Sequence, residues 1–224
     1  MEQMRVSYRQ NLGAVVDDVV VLTNMVRVAV QRANKALLEA DLSAAEGVIT
    51  GDPQIDAMSE DLDTRCLNLI ATEGPVAGEL RTLVATIRMV GDLARMGDLA
   101  VHVAKIARMR YPEQAVPASI RPNFERLCRI AEDMTGMATA MLEKRSVSAA
   151  ESMAQYDEEA DELRSQQFDV ILSDEWADGV QAAVDVALLG RYVERIADHA
   201  VLIASRVVFI VTGLLPEGDH WTTA

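Results

Sequence analysis

Glu194 and Asp198 lie four residues apart in Arg191–Val207, RYVERIADHAVLIASRV. On a helix that spacing puts both carboxylates on one face. The same spacing recurs at Asp52 and Asp56, in GDPQID, and at Asp157 and Asp161, in YDEEADEL. A further acid, Asp98, sits one hundred positions before Asp198. Carboxylates brought face to face repel unless they are protonated or share a cation. All-oxygen donor sets suit hard ions such as magnesium, manganese or iron and suit thiol-seeking metals poorly. The bland reading is a set of surface ion pairs, Arg191 with Glu194 and Arg195 with Asp198, three residues apart and worth a few tenths of a kcal/mol. His102 and His199 neither begin nor complete a Glu-x-x-His pattern, so the ligand set of a ferritin-like di-iron site is absent.

The helix that carries Glu194 and Asp198 has its apolar seam at Leu189, Val193, Ile196, Ala200, Ile203, Val207 and Ile210, alternating steps of four and three. Leu93–Ala107 repeats it: Arg95 aligns with Arg195, Asp98 with Asp198, Ala100 with Ala200 and Ala104 with Ala204. One unit is written twice.

Heptad-like and helical periods predict six helices, over about Arg5–Ala40, Pro53–Thr72, Pro75–Met109, Ser119–Glu143, Ser146–Leu172 and Asp178–Thr212. Ser43 is the expected cap of the second, with Gly47 and the Gly51–Asp52–Pro53 step breaking or bending its start. Ser146 or Ser148 is the expected cap of the fifth, and Gly213 the stop of the sixth. The fold class is all-α, two tandem pseudo-symmetric three-helix bundles. The first bundle takes residues 1–111, a proline-bearing linker 112–122, the second bundle 119–215, and a loose tail 216–224.

Antiparallel pairing then levels the acids. Asp157 is eighteen residues before a turn centred near Glu175 and Glu194 nineteen after it. Asp52 is twenty-two before Gly74 and Asp98 twenty-four after it. At about 1.5 Å rise per residue each pair finishes at nearly the same height.

The net charge of −14 argues against nucleic-acid backbone binding and against electrostatic adhesion to anionic lipid, both of which need concentrated Lys and Arg. Aromatic residues make up only 4%, so Ala, Val, Leu and Met fill the core. Cys66 and Cys128 are too few and too isolated for a disulfide scaffold or thiolate zinc site. The N-terminal residues lack a signal-peptide pattern, and the most apolar run, Ala200–Leu215, is too short to span a membrane and is interrupted by Arg206. A soluble cytoplasmic protein is expected.

The motifs DLARMGDLA at Asp92–Ala100 and YVERIADHA at Tyr192–Ala200, with GDPQID, YDEEADEL and the Pro75–Leu80–Arg81 helix start, resemble the PhoU family. The resemblance runs from the first helix to the sixth. It implies paired three-helix bundles, dimerisation, and metal clusters at the acidic motifs, with iron, magnesium, manganese or zinc as the ion. Carried over by position, one site uses Asp157, Asp161, Glu194 and Asp198, and the other Asp52, Asp56 and Asp98. Ala94 stands where the family has a fourth acid, and Asp92, two positions away, points to another face. The implied function is a non-enzymatic negative regulator of phosphate uptake and of the phosphate-starvation response. It would act as an adaptor between the ATPase subunit of the Pst transporter and a PhoR-type sensor kinase, meeting the membrane only through these partners. A metal-dependent hydrolase or di-iron-type enzyme is the second reading, but the sequence offers no separate nucleophile or glycine-rich phosphate cradle. A bundle whose acids are merely solvated is the third.

Overall fold

The computed structural model describes residues 2–214, with side chains from residue 7; the tail expected at 216–224 lies outside the described residues. Six helices follow in order: α1 Glu2–Glu39, α2 Leu42–Glu73, α3 Gly78–Arg110, α4 Arg121–Lys144, α5 Ala150–Ile171 and α6 Gly179–Thr212. Among the described residues there is no strand, and no helix is long and apolar enough to cross a membrane.

Three local expectations change. α2 is unbroken: Pro53 sits inside it, and its cap is Asp41, whose carboxylate accepts from the Ala44 amide at 2.9 Å, not Ser43. Proline removes one helical hydrogen bond and crowds the preceding turn. Here Val48 and Ile55, on either side of it, are both buried in the core and hold the two segments in line. Ser146 and Ser148 bond to each other at 3.0 Å instead of capping α5, which starts later, at Ala150. The stop at Gly213 is as expected, with φ 81.

The duplication is visible in the burial. Val19, Leu22, Val26, Ala29, Ala33 and Leu37 of α1 are buried, and so, 105 positions on, are Phe124, Leu127, Ala131, Met134, Ala138 and Leu142 of α4. The same shift carries Val48 and Ile55 of α2 onto Met153 and Ala160 of α5. A shift of 100 carries Met89, Leu93, Met96, Ala100 and Ala104 of α3 onto Leu189, Val193, Ile196, Ala200 and Ala204 of α6. Each fully buried Leu, Val or Met contributes about 1.5–3 kcal/mol, so these repeated seams are what hold each bundle.

Helices α1, α2 and α3 pack on one another, as do α4, α5 and α6, and the halves meet where α3 lies along α6 and α1 along α4. The buried residues form one continuous cluster across both halves. In the connecting segment, Ala115, Val116 and Ile120 are buried as well.

Candidate metal-binding faces

In the second half, α5 presents Asp157 and α6 presents Glu194 and Asp198 to the cleft between them; Asp157 and Glu194 are buried, while Asp161 is exposed. Burial raises the Glu194 carboxyl above the usual range, and the neighbouring Asp198 adds to the effect. Asp198 is raised too, by burial first, with Asp157 and more weakly Asp161 adding repulsion. The sequence-predicted acids of this half therefore do share one electrostatic neighbourhood. Arg191 holds Glu194 through both carboxylate oxygens, at 2.6 and 2.7 Å.

Asp157 stands opposite Asp198, and the residue in range of Glu194 on α5 is Arg164. A Cβ placed on Gly190 would fall on the Gln167 amide, which gives the same register. These pairs meet midway at residues 177–179, about three residues beyond the expected turn centre. The cause is the non-helical stretch between Ile171 and Gly179, which lengthens the hairpin on its α5 side.

Arg164 was missed by sequence reasoning because nothing at its own spacing marks it. Burial pushes its guanidinium pKa down while Glu194 pulls it up, and it stacks over Phe168 at 4.3 Å from the ring centroid. Its Nε and Nη1 are buried and make no hydrogen bond. Glu194 thus sits between two arginines. The equivalent first-half positions are Gly91 for Arg191, Ala94 for Glu194 and Ser59 for Arg164. The whole Arg–Glu–Arg set is replaced by small residues, not the acid alone.

What both halves keep is three aspartates. Asp52 and Asp56 of α2 and Asp98 of α3 correspond to Asp157, Asp161 and Asp198. Burial raises the Asp52 carboxyl, Asp56 and Asp98 add to it, and Lys105 and His102 work against it. Asp52 Oδ1 is buried with no hydrogen-bond partner, and Gly97 leaves room beside it, its Cβ position lying 3.7 Å away. Asp98 pairs with Arg95 at 3.2 Å on the half-exposed rim. Asp92 does point elsewhere: it crosses to α6 and meets His199.

Among the described residues, no three carboxylate, imidazole or thiol side chains converge closely enough to hold an ion. The donor chemistry nevertheless fits a hard cation. The oxygen donors on both faces are carboxylates, Asp52 and Asp198 are pushed toward protonation by burial first and by the neighbouring acids second, and Asp52 keeps an orphaned oxygen. Cys66 and Cys128 are buried free thiols, with the Cys66 thiol pushed up to about 11 by burial.

The PhoU domain family model matches the chain twice, over residues 19–107 and 124–207, once per half. The chain is 40% identical over 216 residues to phosphate-specific transport system accessory protein PhoU homolog 1 of Mycobacterium leprae, covering 96% of this chain and 97% of the relative. It is 39% identical over 213 residues to PhoU homolog 2 of Mycobacterium tuberculosis, covering 95% and 100%. The crystal structure of PhoU from Pseudomonas aeruginosa superposes with a TM-score of 0.82 at 25% identity, over 92% of this chain and 100% of that one. A doubled helical unit, its paired acidic faces and near-full-length similarity lead to one conclusion: the chain belongs to the PhoU family.

Proposed function

We propose that this protein is a negative regulator of phosphate uptake and of the phosphate-starvation response. It acts as an adaptor between the ATPase subunit of a Pst-type transporter and a PhoR-type sensor kinase. The observation that carries the reading is the 40% identity, over nearly the whole of both chains, with a phosphate-specific transport system accessory protein. The doubled bundle supports it, because two related faces on one rigid core suit a protein that engages two partners. Reporter output from a phosphate-scavenging promoter tests it. Deleting the gene should derepress the reporter in phosphate-replete medium, and restoring it should silence the reporter again. Mycobacterium tuberculosis has two such relatives, homologs 1 and 2, so a silent single deletion is followed by deletion of any second copy. An unchanged reporter in the double deletion sinks the assignment.

The acidic faces serve this role as binding sites for a divalent or trivalent ion. Asp157, Asp161 and Asp198, with Glu194, would hold it in the second half, and Asp52, Asp56 and Asp98 in the first. Glu194 reaches an ion only by loosening its hold on Arg191. The bound cation would relieve repulsion among buried carboxylates and so rigidify the α2–α3 and α5–α6 hairpins. The protein works as a homodimer and without catalysing a reaction.

A further inference from the structure

Between α1 and α2 runs an apolar groove of about 450 Å³, floored by Val48 and Ile55 and walled by Val21, Met25 and Val28. Val21 is 50% exposed and Val28 43%, two turns apart along the α1 wall of the groove. On the α2 side, Gly51 has nothing within 4 Å of where its Cβ would stand. The second bundle shows what the same space looks like when it is filled. The 105-residue shift carries Val21 onto Arg126, Gly51 onto Tyr156 and Gln54 onto Glu159. There the Tyr156 ring packs against the core. Arg126 lies over that ring, 5.8 Å from its centroid. It also donates from Nε and Nη2 to the two Glu159 oxygens, each at 2.6 Å. One half closes the groove with its own aromatic ring and a guanidinium–carboxylate clasp; the other leaves it open.

Arg32 lies at the mouth of the open groove, its Nη1 3.7 Å from the Cβ position of Gly47. It takes part in no ion pair among the described residues, in a chain whose net charge is −14. We infer that the α1–α2 groove docks a segment of a partner protein that presents an aromatic side chain beside a carboxylate. The ring takes the place that Tyr156 has in the second bundle, and the carboxylate meets Arg32. This is aromatic anchoring in an apolar groove with a charged rim, a recurrent arrangement in protein interfaces. It rests on the adaptor reading above, which makes the transporter's ATPase subunit the partner to test.

The test installs the second bundle's closure in the first. The triple variant Val21→Arg, Gly51→Tyr, Gln54→Glu fills the groove with side chains already compatible with this backbone, and removes a helix-interior glycine. Val28→Asp, which copies Asp133 at an exposed position, is a second, milder variant. Binding of wild type and both variants to the purified ATPase subunit is measured by interferometry, with thermal melts as the folding control. The expected result is at least a tenfold loss of affinity for the triple variant and a smaller loss for Val28→Asp, both melting no lower than wild type. Unchanged binding by either variant overturns the groove and leaves the adaptor reading standing. No binding by wild type overturns both, and phosphate-reporter output then shows whether regulation survives without this contact. Should the triple variant melt low, Val28→Asp alone decides.

Discussion

His199 Nδ1 lies 3.1 Å from Asp92 Oδ1, a polar contact made across the seam where α6 meets α3 and almost wholly inside the protein, at 10% and 14% side-chain exposure. The other polar atoms, His199 Nε2 and Asp92 Oδ2, are buried with no partner. The contact breaks the pseudo-symmetry, since the residues equivalent to His199 and Asp92 are Leu99 and Tyr192. Leaving a buried polar group without its partner costs about 1–3 kcal/mol. Asp92→Ala should therefore destabilise by that amount. Asp92→Ala with His199→Leu should recover part of the loss, because Leu is what the first half buries there. Urea denaturation of the single and double variants measures the coupling. Simple additivity would show that the pair does not join the halves.

A second test concerns the α5–α6 register. Gly190 is buried against Gln167, and a methyl group there would stand 1.8 Å from Gln167 Oε1 and 2.8 Å from its amide carbon. Gln167 cannot easily retreat, as it is itself buried and donates to Asn123 at 2.8 Å. Gly190→Ala should thus destabilise by about 1–3 kcal/mol despite the better helix propensity of alanine. Adding Gln167→Ala should restore most of the loss. A neutral Gly190→Ala would mean that the two helices sit farther apart.

The acid faces make the metal-free protein pH-sensitive in a definite direction. Asp52, Glu194 and Asp198 all have carboxyls raised above their usual range. A folded value above the unfolded one means the folded state binds the proton better. The stability from these groups is then fullest below about pH 4 and is lost as pH rises through the raised values. Glu159 and Asp41, held low by Arg126 and Lys35, pull the other way. Asp52→Asn with Asp198→Asn removes one raised carboxyl from each face and leaves Glu159 and Asp41 unchanged. In the presence of chelator, that variant should melt above wild type near about pH 7.5, with the gap closing toward about pH 4. A gap that widened on acidification would refute the assignment.

Much of this was legible in the sequence because it is periodic. The α3 and α6 seams, their hundred-residue offset and the four-residue acid pairs are local patterns, and the helices keep them in phase. What escaped notice depends on contacts between segments. Pro53 reads as a break, yet core burial on both sides of it outweighs one lost hydrogen bond. Arg164 lies thirty residues before Glu194 in sequence and becomes its neighbour only through the hairpin register. The register lies about three residues from the one that helix rise alone predicts, because turn length sets it and residues 172–178 carry no pattern that fixes theirs. Asp92 could be excluded from the acid face by its phase, but its partner on α6 could not be named from phase alone.

The two acidic faces should bind metal unequally. Both offer three aspartates, while the second adds Glu194 and the first has Ala94 in its place. Ligand number and charge set affinity for a hard cation, so the second face should be the tighter. Glu194→Ala with Asp198→Ala should release most of the bound metal, and Asp98→Ala much less, by elemental analysis after dialysis. Arg191 supplies a sharper test, because it now occupies both Glu194 oxygens and would compete with an ion for them. Arg191→Ala frees that carboxylate and should tighten the second site, whereas a structural Glu194 would leave metal affinity unmoved. Metal at a hundredfold excess over its dissociation constant should stabilise wild type by about 2.7 kcal/mol, read as a rise in Tm that chelation reverses. Equal metal loss from Asp98→Ala and the Glu194/Asp198 variant would defeat the asymmetry. Failure of every ion among iron, magnesium, manganese and zinc to raise the Tm would defeat the sites themselves.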